Sequence, residues 1–168
     1  MAAPNPASAH RIGLGTDRHR LEGGRPLWIG GVEIPASAGA VAHSDGDVVL
    51  HSIADAILGA IGAGDIGELF PDDDDRIKGI SSDRIIRRVI TEAAEVGFTP
   101  VNVDVVVELE KPRLTPHRRE VRARIAALLG ISPLAVGFKG KTGEGVGDVG
   151  GGRTIEATAV VLMVLKED

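Results

Sequence analysis

Residues 45–61, Asp-Gly-Asp-Val-Val-Leu-His-Ser-Ile-Ala-Asp-Ala-Ile-Leu-Gly-Ala-Ile, read as a helix that is apolar nearly all round. Val48, Val49, Leu50, Ile53, Ala54, Ile57, Leu58 and Ile61 leave almost no wet face. Such a helix must be covered on several sides. Its polar interruptions are Asp47, His51, Ser52 and Asp55, and His51 and Asp55 are one helical turn apart.

Outward from this helix, strands and helices alternate. Residues 11–17 and 27–34 read as strands, the second interrupted by Gly30-Gly31 as a bulge or a hairpin tip, with turn chemistry at 22–26. A helix over 82–96 carries a buried stripe of Ile85, Ile86, Val89, Ile90 and Ala93, with Ser82 as N-cap and Gly97 as its stop. A strand over 101–109 follows. Thr115-Pro116 then supplies the cap and first turn of a helix that ends near Gly130. Residues 135–141 and 154–166 are the last strands, around a Gly-rich loop at 142–152. The pattern predicts a single α/β (α+β) domain over 11–168, a mixed sheet with helices on one face, after a disordered tail at 1–10. Residues 157–165 barely alternate, so that strand needs cover on both faces, and a neighbouring subunit could supply the second cover.

Composition removes several function classes. The formal charge is −5 and aromatics make up 2% of the 168 residues, which argues against nucleic acid as a partner. There is no cysteine, hence no disulfide, thiolate metal site or Cys nucleophile. No stretch is long and apolar enough for a membrane span, and the first nine residues lack the pattern of a signal peptide. A soluble cytoplasmic protein is expected.

The chemistry-bearing residues fall in a few places. In Asp17-Arg18-His19 the first and third side chains share one face of a strand. With His51 they would form two imidazoles and a carboxylate, one ligand short of a tetrahedral zinc site and so open to substrate. Asp47 and Asp55 are expected to support the ligands from behind. A His–Asp pair that only stabilises the helix is the plainer alternative. His43-Ser44 would sit where a helix front attracts anions, against the simpler reading that Ser44 or Asp45 caps the helix. Asp65 lies among glycines in the long loop 62–80, where backbone can approach a ligand. The acidic run at 72–75 reads as a solvated loop. The stretch 139–145 suits a phosphate-cradling turn that is not a P-loop, and Glu144 there could hold Mg²⁺ against phosphates.

Taken together, these segments resemble the 2-C-methyl-D-erythritol 2,4-cyclodiphosphate synthase family. The resemblance rests on Gly15-Thr16-Asp17-Arg18-His19, Ile29-Gly30-Gly31-Val32, and above all Ala42-His43-Ser44-Asp45-Gly46-Asp47-Val48-Val49-Leu50-His51. Gly64-Asp65-Ile66-Gly67, Leu69-Phe70-Pro71-Asp72 and Pro112-Arg113-Leu114-Thr115-Pro116-His117 extend it. It implies a homotrimer with active sites between neighbours. The implied reaction turns 4-diphosphocytidyl-2-C-methyl-D-erythritol 2-phosphate into the cyclic diphosphate with release of CMP, a step of non-mevalonate isoprenoid synthesis. By matching positions, Asp17, His19 and His51 would hold zinc, with Asp17 and His19 also at the substrate, and His43 and Thr142 would stabilise the transition state. Ser44, Asp65, Ile66, Gly67, Phe70, Pro71, Asp72 and Lys141 would contact substrate. Leu109, Pro112, Arg113, Leu114 and Thr115 would wrap the cytidine. Glu144 would hold a second ion, Mg²⁺ or Mn²⁺.

The chain departs from the family in three places. It has Lys141-Thr142-Gly143-Glu144 where a Thr-Thr-Thr-Glu run is frequent, and Arg113 where Lys is frequent. Asp148 and Gly151 stand where a Phe and an Arg often line a cavity on the trimer axis, so anion binding there is not implied, with Arg153 as the remaining nearby cation. Two other functions would use the same ligands: a zinc-dependent phosphoesterase, and a metal- or ligand-binding trimer without turnover.

Overall fold

The computed structural model describes residues 9–70 and 79–166. Most of the expected tail, the acidic run at 72–75, and Pro71 and Asp72 lie outside the described residues.

A five-stranded sheet holds the molecule together, in the order β4-β1-β7-β5-β6. Its members are β1 (His10–Gly23), β4 (Ala38–Ala40), β5 (Phe98–Glu108), β6 (Val136–Lys141) and β7 (Thr154–Leu165). Only β5 and β6 pair parallel; the β1–β4, β1–β7 and β5–β7 pairs are antiparallel. A separate hairpin joins β2 (Leu27–Ile29) to β3 (Val32–Ile34). The helices are α1 (Val48–Ile61), α2 (Ile66–Leu69), α3 (Ser82–Glu95), α4 (Arg118–Leu129) and α5 (Gly147–Gly150). α1 packs on β1 and β7, α3 on α1 and β5, and α4 on β6.

Helices cover one face of the sheet, as the alternation predicts. Along β7, Ile155, Ala157, Ala159, Val161 and Met163 are buried beneath the helices. The other face is open. Ile12 and Leu14 of β1 stand 73% and 65% exposed there, beside Val160 at 42%. The register sets Ile12 against Leu162 and Leu14 against Val160, so these side chains form one apolar surface.

β1 reaches α1 with nothing between the two backbones. Gly13 and Gly15 face the helix, and a Cβ on them would lie 1.7 Å from the Ala56 carbonyl oxygen and 2.1 Å from that of Ser52. No other residue allows that approach. The same strand face then continues to Asp17 and His19.

Several expected boundaries shift, each for a local reason. β1 runs on to Gly23 because its polar second half pairs with β7 and β4, so the turn occupies only residues 24–26. Gly30 and Gly31 form a hairpin tip, not a bulge, both with positive φ (61° and 78°) as a tight primed turn requires. β5 begins at Phe98, with an irregularity between Pro100 and Asn102. A single turn of 3₁₀ helix at Thr115–His117 precedes α4, and Gly130 ends α4 in the left-handed region. β4, α2 and α5 were not foreseen.

The start of α1 also moves. The helix begins at Val48 and neither Ser44 nor Asp45 caps it; Asp47 does. Its Oδ1 accepts the N–H groups of Val49 and Leu50 at 3.1 and 3.0 Å. The same carboxylate accepts Gly30 N–H at 2.9 Å and Gly31 N–H at 2.6 Å, tying the β2–β3 hairpin to the helix front. Full burial pushes the Asp47 carboxyl up, while those N–H groups pull the other way. Asp47→Ala orphans four donors at a buried helix end. The expected cost is about 2–4 kcal/mol, a lost cap plus unsatisfied buried groups, measured by urea denaturation.

Candidate metal and substrate site

Asp17 and His19 come from β1 and His51 from the first turn of α1, one element packed directly on the other. Each offers one ligand atom, and the three atoms lie within 4.8 Å of one another. Asp17 Oδ2 is 2.9 Å from His51 Nδ1 and 3.0 Å from His19 Nε2. The two contacts differ in kind. The first is a hydrogen bond, whereas His19 Nε2 is misaligned toward the carboxylate and is buried with no hydrogen-bond partner among the described residues. An orphaned buried nitrogen is costly. Two nitrogens and an oxygen gathered within 4.8 Å of one another suit a divalent cation that accepts imidazole and carboxylate. The residues present therefore fit a metal ion.

The electrostatics agree. Burial pushes the Asp17 carboxyl up, but its close contacts with His19 and His51 and the charge of both rings outweigh it and hold the group well below the usual carboxylate range. Burial pushes His51 down, yet its bond to Asp17 and the charges of Asp17, Asp47 and Asp45 leave it raised. Positive charge is favoured between β1 and α1, whether a proton or a cation carries it.

The groups expected to support the ligands do other work. Asp47 caps the helix, as described. Asp55 accepts the N–H of Ile66 at 2.8 Å and so hangs α2 on α1; burial, then the nearby Asp65 and Asp17 charges, push its carboxyl up. Asp47 takes the Val49 and Leu50 N–H groups at the front of α1, so an anion beside His43 and Ser44 would have to be met without these two backbone donors. Ser44 accepts the Gly46 N–H at 3.1 Å and lies 3.3 Å from His51 Nε2, with His43 exposed beside it.

His51 finds its second partner elsewhere. Ser82 Oγ lies 2.9 Å from Nε2 and is hydrogen-bonded to Asp45. Ser82 does not cap α3; Ser81 holds that position, without a side-chain bond. Sequence reasoning missed this pairing. Ser82 is 31 positions from His51, and an adjacent Ser pair before a helix signals capping and nothing more.

A second group of expected residues gathers at the ends of β5 and β6. Leu109 N–H bonds to the Lys141 carbonyl, and Gly143 N–H donates to Glu110 at 3.1 Å. Leu114 is buried against Gly140, while Pro112, Arg113 and Thr115 occupy the outer turn after a cis Lys111–Pro112 bond. Thr142 donates to Glu144 at 2.7 Å, and Glu144 adopts a positive φ of 51°. A third group follows α1: Asp65 caps α2 through the Glu68 N–H, with Ile66, Gly67 and Phe70 around it. Arg153 is not a free cation, because Asp148 pairs with it at 2.6 Å.

One chain does not bring all of these together. Across the sheet Asp17 pairs with Ala157, Ala157 with Val107, and Val107 with Gly140. Three strand spacings separate the cation cluster from the Lys141–Glu144 turn by about 14 Å.

Comparison with known proteins gives a consistent result. The chain matches the YgbB family over residues 10–164. It is 46% identical to the chloroplastic 2-C-methyl-D-erythritol 2,4-cyclodiphosphate synthase of Oryza sativa subsp. japonica over 166 residues, 98% of this chain and 75% of that protein. It is 49% identical to the synthase of Dechloromonas aromatica, covering 91% of this chain and 96% of the relative. A solved 2C-methyl-D-erythritol-2,4-cyclodiphosphate synthase in a CDP-bound form superposes with a TM-score of 0.85 at 40% identity, over 91% of this chain and 99% of that one. Fold, cation cluster and relatives converge, and the chain belongs to the YgbB family, whose members named here are 2-C-methyl-D-erythritol 2,4-cyclodiphosphate synthases.

Proposed function

We propose that this chain is a phosphorus–oxygen lyase. It converts 4-diphosphocytidyl-2-C-methyl-D-erythritol 2-phosphate to 2-C-methyl-D-erythritol 2,4-cyclodiphosphate and CMP. The observation that carries the reading is the convergence of Asp17, His19 and His51 around a buried, unpartnered His19 nitrogen, in a chain whose relatives carry that name.

The 2-phosphate oxygen attacks the β-phosphorus, and the bond from that phosphorus to the oxygen of the α-phosphate breaks as CMP leaves. No protein nucleophile is needed, so the residues position anions and neutralise charge. Asp17, His19 and His51 would hold zinc, which when bound supplies a Lewis acid and template for the diphosphate. Glu144, with its carboxylate beside the Thr142 hydroxyl, would hold Mg²⁺ or Mn²⁺ against the phosphates. His43 and Thr142 would donate to the charge that develops in transfer, and Ser44 and Lys141 would bind phosphate oxygens. The segment containing Leu109, Pro112, Arg113, Leu114 and Thr115 would enclose the cytidine. Asp65, Ile66, Gly67, Phe70, Pro71 and Asp72 would contact the substrate.

The active site is then built between copies in a homotrimer. Two observations support this: the separation of the two residue groups within one chain, and the uncovered apolar face around Ile12, Leu14 and Val160. Among the described residues no helix is long and apolar enough to cross a membrane.

Three outcomes are expected. Metal-free protein takes up one equivalent of zinc per chain. His19→Ala weakens that affinity by more than the roughly 100-fold typical of outer-sphere partners, read by competition with a chromogenic chelator. Incubation with substrate, followed by phosphorus NMR, yields CMP and a cyclic diphosphate in equal amounts. Strong chelation stops the reaction and zinc restores it; linear products would indicate a phosphoesterase, and undiminished turnover without metal would sink the reading. Light scattering gives three times the chain mass, and Leu14→Asp with Val160→Asp dissociates the assembly and abolishes CMP release. Full activity of a dissociated double variant would refute the shared site.

A further inference from the structure

We infer that Asp45 and Ser82 form a relay that fixes the ring of His51 and keeps its Nε2 protonated, leaving Nδ1 as the nitrogen that faces the cation. This rests on the reading of Asp17, His19 and His51 as a cation site and assigns a positioning role to two residues on other elements.

Proton bookkeeping carries the inference. Ser82 is fully buried, and its hydroxyl touches both Asp45 Oδ1 and His51 Nε2, the latter at 2.9 Å. A serine hydroxyl has one proton, and an ionised carboxylate only accepts. The proton therefore points at Asp45, and the remaining lone pair of Ser82 Oγ must accept from His51 Nε2–H. The opposite arrangement would press an unshared hydroxyl lone pair against the carboxylate at a very short separation. Ser44 does not replace Ser82: its oxygen is farther from Nε2, at 3.3 Å, and already accepts the Gly46 N–H.

Asp45 is well held for this task. Its Oδ2 accepts the Ser82 backbone N–H at 2.8 Å, and its Oδ1 also receives the Asp47 N–H at 3.3 Å. Carboxylate, hydroxyl and imidazole are thus linked by successive contacts to Asp17 Oδ2, which lies 2.9 Å from Nδ1, the other ring nitrogen. With Nε2–H committed to Ser82, Nδ1 is left to the proton or ion near Asp17, its one neighbour among the described residues. Histidines that bind metals commonly donate their second N–H to an anchoring group, which sets the tautomer and ring angle. Here the anchor is a hydroxyl polarised by an acid from the loop before α1.

A plain structural staple, joining the start of α3 to that loop, makes different predictions, and zinc affinity separates the two. Parent, Ser82→Ala, Asp45→Ala and the double variant are loaded from the metal-free state and titrated against a chromogenic chelator. Zinc-free melting is recorded for each. The relay predicts that either single change weakens zinc binding roughly ten- to a hundredfold. It predicts that the double variant loses no more than the worse single, because both act through one proton. Ser82→Thr, which keeps the hydroxyl, retains most of the affinity. In zinc-loaded parent, His51 shows a slowly exchanging Nε2–H resonance that Ser82→Ala abolishes. Asp45→Ala keeps the test alive if Ser82→Ala fails to fold. Unchanged affinity in a folded single variant, or losses that multiply in the double, would overturn the relay while leaving the zinc site standing. A parent that takes up no zinc overturns both.

Discussion

The backbone-to-backbone seating of β1 on α1 is the constraint from which the site follows. Gly13 and Gly15 put no side chain of their own into the contact, and the carbonyls of Ser52 and Ala56 occupy the vacated space. One strand step further the same face presents Asp17, then His19, at the height of His51. A side chain at either glycine would lever strand from helix and widen the gap the three ligands span. Close packing and cation chemistry are thus one arrangement seen at two points along a strand.

Carboxylates do most of the remaining organisation, and each has a separate task. Asp47 closes the front of α1 and pins the β2–β3 hairpin. Asp55 holds the next loop, Asp45 engages Ser82, and Asp17 faces the two imidazoles. Their placement in a largely buried region explains the directions of their proton affinities. Burial raises the proton affinity of Asp47 and Asp55 against the pull of their N–H donors, whereas the flanking histidines lower that of Asp17.

Much of this was legible in the chain. The all-round apolar character of residues 48–61 announced a buried helix, and the Asp17/His19 spacing placed both side chains on one strand face. The helices duly cover one side of the sheet. What was not legible was partnership. Asp47 and Asp55 sit a turn to either side of His51, which suggested support for the ligand, but each was drawn to backbone donors from other elements that the sequence does not set beside it. Ser82 looked like a cap because capping is local, whereas its bond to His51 exists only after α3 folds against α1. β4, with Ala-Gly-Ala, carries no strand signal, and its Gly39 is there so that the Pro26 backbone can come close. α2 and α5, four residues each, are too short to show any period.

The short bond from Asp55 to Ile66 has a wider bearing. Because Asp55 lies one turn beyond His51 on α1, the helix carries one member of the candidate metal site and the tether of α2 on a single rigid rod. A tilt or slide of that rod moves both together and preserves their spacing. Evolution can therefore lengthen or recompose the stretch after α2 without detuning the distance between the two, much as a workbench keeps its vice and its rest aligned when the floor beneath is relaid.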